Sequence, residues 1–323
     1  MSKGILVQAT GGPEVLVYGD VPVARPGKGQ VLIRQTAIGV NFIDVYYRNG
    51  LYATPLPLVP GSEGAGVVLE LGEGVTHFKP GDRVAYAMSL GAYAEERVVD
   101  EKLLVHVPDG ITDEVAAAMM LKGLTAQYLL RRTFPVKPGQ TILFHAAAGG
   151  VGLIACQWAK HLGATVIGTV GSEDKAELAR KNGCDHIILY RDEDVAARVA
   201  EITGGEKCDV VYDGVGKSTF MGSLDSLKPF GMFVSFGNAS GPVDAFNIGL
   251  LNQKGSLYAT RPSLGAHVAR REVLDEMAAD LFNVVKTGAV KIPLHAKHAL
   301  KDARLAHELL ESRKTTGAMV LIP

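Results

Sequence analysis

The stretch TILFHAAAGGVGLIACQWAKHLG (141–163) decides how this chain is read. TILFHA (141–146) is apolar without polar alternation, the pattern of a strand buried on both faces. AAAGGVG (146–152) follows, and the run then continues as a helix closed by Gly163. A strand, a glycine turn and a helix in that order bring backbone N–H groups to a pyrophosphate at a helix N-terminus. Side chains there would hold the phosphate away. The string is Ala146-x-x-Gly149-x-x-Gly152 with Gly150 added, not a full G-x-G-x-x-G, so its context carries the reading. The plain alternative is a packing turn between helix and sheet.

Outward from this stretch the rhythm repeats. ATVIGTVG (164–171), HIILY (186–190), CDVVYDGVG (208–216), GMFVSFG (231–237) and GSLYAT (255–260) read as strands. SEDKAELARKNG (172–183) and VAARVAEITGG (195–205) read as helices between them. Six strands with helical crossovers predict an α/β unit, a doubly wound parallel sheet of the Rossmann type. Upstream, GILVQ, VLIRQTAIGV, GAGVVLELG, RVAYA and AYAEERVV are short strands punctuated by Gly/Pro turns, which predicts a partly closed β domain. TDEVAAAMMLKGLTAQYLLRRT (112–133) has a helical period broken at Lys122-Gly123. Past Arg261-Pro262 the pattern predicts helices over 271–288 and 300–314 and a last strand, AMVLIP. No strand–helix alternation is expected there, and the tail is expected to pack back on the N-terminal domain.

Composition narrows the function classes. With 33 basic and 34 acidic residues in 323, the near balance of charge argues against nucleic acid gripped through a broad basic field, without excluding a local patch. No apolar run is long enough to predict a transmembrane helix, and MSKGILVQATGG lacks the apolar core of a secretory signal. Cys156, Cys184 and Cys208 form no CxxC, so neither a disulfide framework nor a cysteine-rich zinc site is expected, and a cytoplasmic setting is. Cys156 reads as helix core. His77, His106, His145 and His161 are widely spaced. His295 and His298 are three apart without nearby cysteine, so no metal site is expected.

The end of the second strand bears on the nucleotide. NAD sites place Asp or Glu there for the ribose 2′-OH. Here the strand ends in Val170-Gly171-Ser172, with Lys175 one turn into the helix and Tyr190-Arg191 ending the third strand. A small neutral residue followed by a cation favours the 2′-phosphate of NADP. Glu173 and Asp174 stand against this, unless they face solvent as first-turn acids suited to the helix dipole.

The strings NFIDVYYRNGLY (41–52), VPGSEGAGVV (59–68), FKPGDRVAY (78–86), LKGLTAQYLL (121–130), HAAAGGVGLIACQWAK (145–160), VVYDGVG (210–216) and SFGNASG (235–241) resemble the quinone oxidoreductases. These are the zeta-crystallin-like, zinc-free branch of the medium-chain dehydrogenase/reductase superfamily. The resemblance runs end to end. Where zinc-dependent relatives carry a cysteine and a GHE turn, this chain has Asn41 and Gly61-Ser62-Glu63, and a short run, MSLGAYAEE, replaces their four-cysteine lobe.

The resemblance implies a mainly β GroES-like (chaperonin-10-like) catalytic domain of residues 1–123 and 263–323, and a Rossmann NADP-binding domain of 124–262. It places the quinone and nicotinamide in the cleft between them. The segment 41–52 is read as a loop facing the nicotinamide, with Asn41, Tyr46 and Tyr52 offering donors or walls to a quinone carbonyl and Phe42 and Asp44 on the cofactor side. Gly149, Gly150, Val151 and Gly152 are placed at the pyrophosphate, and Ser172, Lys175 and Tyr190 at the 2′-phosphate. Tyr128, Phe236, Gly237, Asn238, Pro262, Ser263 and Leu264 are placed along the nicotinamide channel. Arg313 and Lys314, at the end of the last helix, are brought back to the ribose or a phosphate.

The expected protein is therefore an NADPH-dependent, zinc-independent quinone reductase, by resemblance a homodimer. Its rivals are a reductase of the C=C bond of alkenals or enones, and a crystallin-like or AU-rich RNA-binding role.

Overall fold

Residues 2–312 and 315–323 are described by the computed structural model. The chain runs through β1 (Ser2–Leu6), β2 (Val17–Val21), β3 (Gln30–Val40), α1 (Phe42–Arg48), β4 (Glu63–Leu71), β5 (Arg83–Ala87), β6 (Glu96–Asp100), β7 (Leu104–His106) and α2 (Asp113–Tyr128). Next come β8 (Thr141–Phe144), α3 (Gly150–His161), β9 (Thr165–Val170), α4 (Glu173–Lys181), β10 (His186–Leu189), α5 (Val195–Ile202) and β11 (Cys208–Asp213). They are followed by α6 (Phe220–Asp225), β12 (Leu227–Ser235), α7 (Gly249–Gln253), β13 (Tyr258–Thr260) and α8 (Leu264–His267). The last elements are α9 (Arg271–Lys286), β14 (Leu294–Ala299), α10 (Ala303–Glu311) and β15 (Ala318–Ile322). Two compact units result: Met1–Leu124 with Val268–Lys286 and Ile292–Pro323, and Thr125–His267 with Thr287–Lys291.

The second unit holds a six-stranded sheet in the order β10-β9-β8-β11-β12-β13, with every neighbouring pair parallel. The expected doubly wound sheet is what forms. Ile142, Leu143 and Phe144 of β8 are buried at its centre, and α3 packs Leu153, Ile154, Cys156 and Trp158 inward. The chain leaves β8 toward β9 and β10, then returns to β11 on the other side. That reversal is a topological switch point beside β8, where ligands of such sheets bind at the strands' carboxyl ends.

In the first unit β3 is the hub. It pairs antiparallel with β4, β6 and β15, and its alternating Val31 and Ile33 enter a core with Val68, Val84, Tyr86, Leu104 and Leu321. β1 and β2 form a separate antiparallel pair.

Three expectations are corrected here. Residues 42–48, read as loop, are helix α1: Asn41 is extended at its start (φ −138°, ψ 155°), and the Asp44 carboxylate accepts the Asn41 N–H at 2.9 Å. Asn-x-x-Asp is a capping pattern, masked by the β-forming Phe, Ile, Val and Tyr that follow. Strand–helix alternation does continue in the tail, because β14 and β15 are parallel strands joined through α10. β14 (LHAKHA) has too few apolar residues to announce itself and lies at the sheet's edge. Lastly, Lys122-Gly123 does not break α2. A Cβ on Gly123 would sit 2.6 Å from Leu281 Cδ1, so the glycine is a notch for α9.

Candidate active site

The parallel register brings the segments after β8, β9, β10, β11 and β12 to one edge of the second unit. After β8, Ala146 takes a left-handed φ of 54° and Gly149 stands extended at the start of α3 (φ −81°, ψ 171°). No side chain caps α3, so its first N–H groups and the positive end of its dipole are left for an anion. Gly152 lets the helix close on the strand: a Cβ there would be 2.5 Å from the Ala146 carbonyl oxygen and 2.6 Å from that of Ala147. Gly149, Gly150 and Val151 are half-buried around the same turn. The donor set suits a pyrophosphate.

After β9, Ser172 starts α4 with its hydroxyl making no capping bond, and it is exposed. A Cβ on Gly171 would meet the Tyr190 hydroxyl at 2.6 Å and Arg191 Nε at 3.4 Å, so Tyr190 and Arg191 lie over the glycine. Lys175 is half-buried in the first turn of α4. The objecting acid Glu173 is engaged by Arg180 at 2.8 Å, on the helix's own surface. A small floor, a hydroxyl and two cations suit a phosphate monoester better than a ribose diol. Arg191 is the residue whose part here sequence reasoning left unassigned.

After β11 the buried Asp213 carboxylate accepts from the N–H groups of Val215 (2.8 Å) and Gly216 (2.9 Å), fixing the turn. Phe236, following β12, packs on Phe144 (ring centroids 5.6 Å apart) and on the flat back of Gly214. Gly237 approaches the Gly214 carbonyl too closely for any side chain. Arg261 Nη1 donates to the Ser235 carbonyl at 3.0 Å, and Asn238 and Arg261 help line a cavity of about 480 Å³ with Phe220, Phe233 and Phe246. Pro262 is half-buried and Leu264 buried, and the Ser263 Oγ accepts the Ala266 N–H at the start of α8. Tyr128 is nearly enclosed, stacked on His267 at 4.6 Å, and burial pushes its hydroxyl up to about 12. Arg313 and Lys314 lie outside the described residues.

The first unit carries a second polar cluster, larger than the sequence suggested. Glu63, fully buried, accepts from Lys122 Nζ (2.9 Å), Asn41 Nδ2 (2.7 Å) and the Leu121 N–H (2.6 Å). Asp44, also fully buried, accepts from Ser62 Oγ (2.7 Å), the Asn41 N–H (2.9 Å) and Tyr93 Oη (3.2 Å). Burial pushes the Asp44 carboxyl up to about 7, while the Ser62 and Asn41 bonds pull the other way. Behind it, Arg48 donates to His307 Nδ1 (3.0 Å) and grips Glu311 with two bonds of 2.9 Å. Burial and the Arg48 charge push His307 down to about 3. A neutral His307 that accepts at Nδ1 carries its hydrogen on Nε2, toward Tyr93 Oη at 3.0 Å. Asp44 and one amide hydrogen of Asn41 are thus spent inside this unit, holding α1. The exposed Phe42 and the half-buried Tyr46 and Tyr52 form an aromatic face beside it, with ring centroids 6.4 and 5.3 Å apart. The unused sequence signal was charge, Glu63 and Lys122, inside otherwise apolar elements.

Among the described residues no three His, Cys, Asp or Glu side chains are grouped to hold a metal ion, and no helix is long and apolar enough to cross a membrane. Cys156, Cys184 and Cys208 are free and buried, and burial pushes the Cys208 thiol up to about 12.

Fold and site define a class, the medium-chain dehydrogenase/reductases. Residues 27–109 match the alcohol dehydrogenase GroES-like domain, and residues 150–282 match the family described as zinc-binding dehydrogenase. A quinone oxidoreductase of Pseudomonas aeruginosa is 57% identical, with all of both chains covered. A 2-haloacrylate reductase of a Burkholderia species is 47% identical over 100% of this chain and 99% of its own. The crystal structure of Escherichia coli quinone oxidoreductase complexed with NADPH superposes with a TM-score of 0.97 at 51% identity, covering 99% of this chain and 100% of that one. The chain belongs to the quinone oxidoreductase family.

Proposed function

We propose that the protein is an NADPH-dependent quinone reductase. The observation that carries this reading is the floor of Gly171 under Tyr190 and Arg191, one strand over from the uncapped glycine turn. Full-length likeness to quinone oxidoreductases supports the acceptor class. When bound, NADPH supplies a hydride from its nicotinamide ring.

The chain's own residues bind and orient. Gly149, Gly150, Val151 and Gly152 present backbone N–H groups to the pyrophosphate. Ser172, Lys175, Tyr190 and Arg191 hold the 2′-phosphate, a dianion that two cations suit. Phe236, Gly237, Asn238, Pro262 and Ser263 border the nicotinamide, and Tyr128 and Leu264 support that border from within. Tyr46, Tyr52 and the remaining amide hydrogen of Asn41 are donors for a carbonyl oxygen that gains negative charge. In this reading residues 1–123 and 263–323 serve the acceptor and 124–262 the NADP.

The likeness to a 2-haloacrylate reductase favours a second reading, reduction of an activated C=C bond. Steady-state rates with NADPH against 1,4-benzoquinone and a 2-alkenal separate the two. A higher kcat/KM for the quinone is expected, and a strong alkenal preference would replace the first reading by the second.

We also propose a cytoplasmic homodimer. Three buried free thiols and the edge strand β13, with Tyr258 exposed, support this. Analytical ultracentrifugation giving twice the monomer mass is the expected result.

A further inference from the structure

Beneath the glycine turn lies a polar chain that the proposed roles do not use. His145, the residue between β8 and the turn, is 2% exposed. Its Nδ1 is 3.0 Å from Thr169 Oγ1 on β9, and its Nε2 is 3.0 Å from Ser223 Oγ on α6. Ser223 Oγ is 2.7 Å from Asp213 Oδ2 on β11. The Ala146 N–H reaches Thr169 Oγ1 at 3.3 Å, and the Ala147 N–H reaches the Thr169 carbonyl at 3.1 Å.

The direction of every bond in this chain follows from its end. An ionised carboxylate only accepts, so the Ser223 hydroxyl donates to Asp213. Ser223 Oγ then accepts, which puts the imidazole hydrogen on Nε2. The bare Nδ1 accepts from the Thr169 hydroxyl, whose oxygen accepts the Ala146 N–H. Burial lowers the His145 pKa against the opposing pull of Asp213, in keeping with a neutral ring. At its far end Asp213 Oδ1 takes the N–H groups of Val215 and Gly216. One buried chain therefore crosses β9, β8 and β11 and joins the turn at 146–152 to the turn at 214–216.

We propose that His145, as the neutral Nε2–H tautomer, is a positioning residue that holds these two turns in register for the dinucleotide. It touches no reacting atom. It fixes the left-handed Ala146 and the Gly216 turn through Thr169, Ser223 and Asp213, because each member has only one way to donate. The proposal rests on the NADPH reading above.

The test uses NADPH binding, followed by nicotinamide fluorescence, together with KM and kcat for each variant. Thr169→Val deletes one hydroxyl with little change of shape. His145→Phe removes both ring nitrogens, and His145→Gln restores one donor and one acceptor. The expected result is a Kd and KM for NADPH raised about tenfold in the first two, the scale of one buried hydrogen bond. At saturating NADPH kcat should change less than about twofold, and His145→Gln should recover most of the loss. Since the links form one chain, Thr169→Val with Ser223→Ala should lose little more than the worse single variant. Unchanged NADPH affinity in folded Thr169→Val, or fully additive losses in the double variant, would overturn the proposal. If His145→Phe does not fold, Thr169→Val and the double variant decide alone. A wild-type chain that fails to bind NADPH overturns the NADPH reading and this proposal together, whereas wild-type binding with unaffected variants overturns this proposal only.

Discussion

The two units build their polar sites on opposite plans. At the sheet edge of the second unit the work is done by missing atoms: Gly152, Gly171, Gly214 and Gly237 each leave out a Cβ that backbone or ring atoms would strike. The first unit instead encloses ionisable groups. Glu63, Asp44, Arg48 and His307 are buried together, while Phe42 of α1 is exposed. The first plan fails when atoms are added and the second when a charge loses its partner. That contrast orders the expected effects of substitution.

The largest effect on cofactor binding belongs to Gly152→Val, whose Cβ would face two backbone carbonyls at 2.5 and 2.6 Å that cannot yield without moving the turn. NADPH affinity should drop about a hundredfold, measured by fluorescence titration. Next comes Lys122→Met, which leaves the Glu63 carboxylate buried beside neutral donors alone. Urea denaturation should show a loss of about 3–5 kcal/mol, largely recovered when Glu63→Gln is added. An equal loss in the double variant would break the comparison, since packing rather than charge would then be at stake.

A third effect is one of pH. Asp44 has a folded pKa of about 7, above its ordinary 3.8, so the fold favours its protonated form. That stabilisation is complete below the unfolded value and is lost as pH rises through about 7. His307, pushed down from 6.5 to about 3, has the opposite sign: its contribution is full above 6.5 and is lost as pH falls toward 3. Asp44→Asn should therefore flatten the fall of Tm between about pH 4 and 7 and leave the loss from His307 in place. An unchanged profile would mean that the carboxylate is ionised across that range. The smallest effect is Lys175→Ala, which should raise KM for NADPH about fivefold, the scale of one charged contact, and barely touch that for NADH.

The same contrast explains what could be read in advance. The six parallel strands were legible because each is a continuous apolar run, and the turn at 146–152 because glycine where a side chain is intolerable is a local signal. The subsite over Gly171 was half legible: Ser172, Lys175, Tyr190 and Arg191 follow predictable strand ends, but the packing of Tyr190 and Arg191 over the glycine comes only with the fold. α1 was missed because its cap, Asn41 with Asp44, is followed by β-forming side chains, and β14 because an edge strand needs few apolar residues. Networks such as Glu63–Lys122–Asn41 join residues 22 and 59 positions apart, and Arg48–His307 joins residues 259 apart. No local pattern encodes such pairs, and only the fold brings them into register.

In the proposed function the edge over Gly171 and the turn at 146–152 select NADPH to reduce a quinone. Its most direct test is kcat/KM for NADPH against NADH with 1,4-benzoquinone as acceptor, in the wild type and in Lys175→Ala with Arg191→Ala. The expected result is a wild-type preference for NADPH that falls at least about tenfold in the double variant through KM for NADPH alone, the scale of two lost charged contacts. Equal use of the two nucleotides by the wild type, or equal losses for both in the variant, would contradict it.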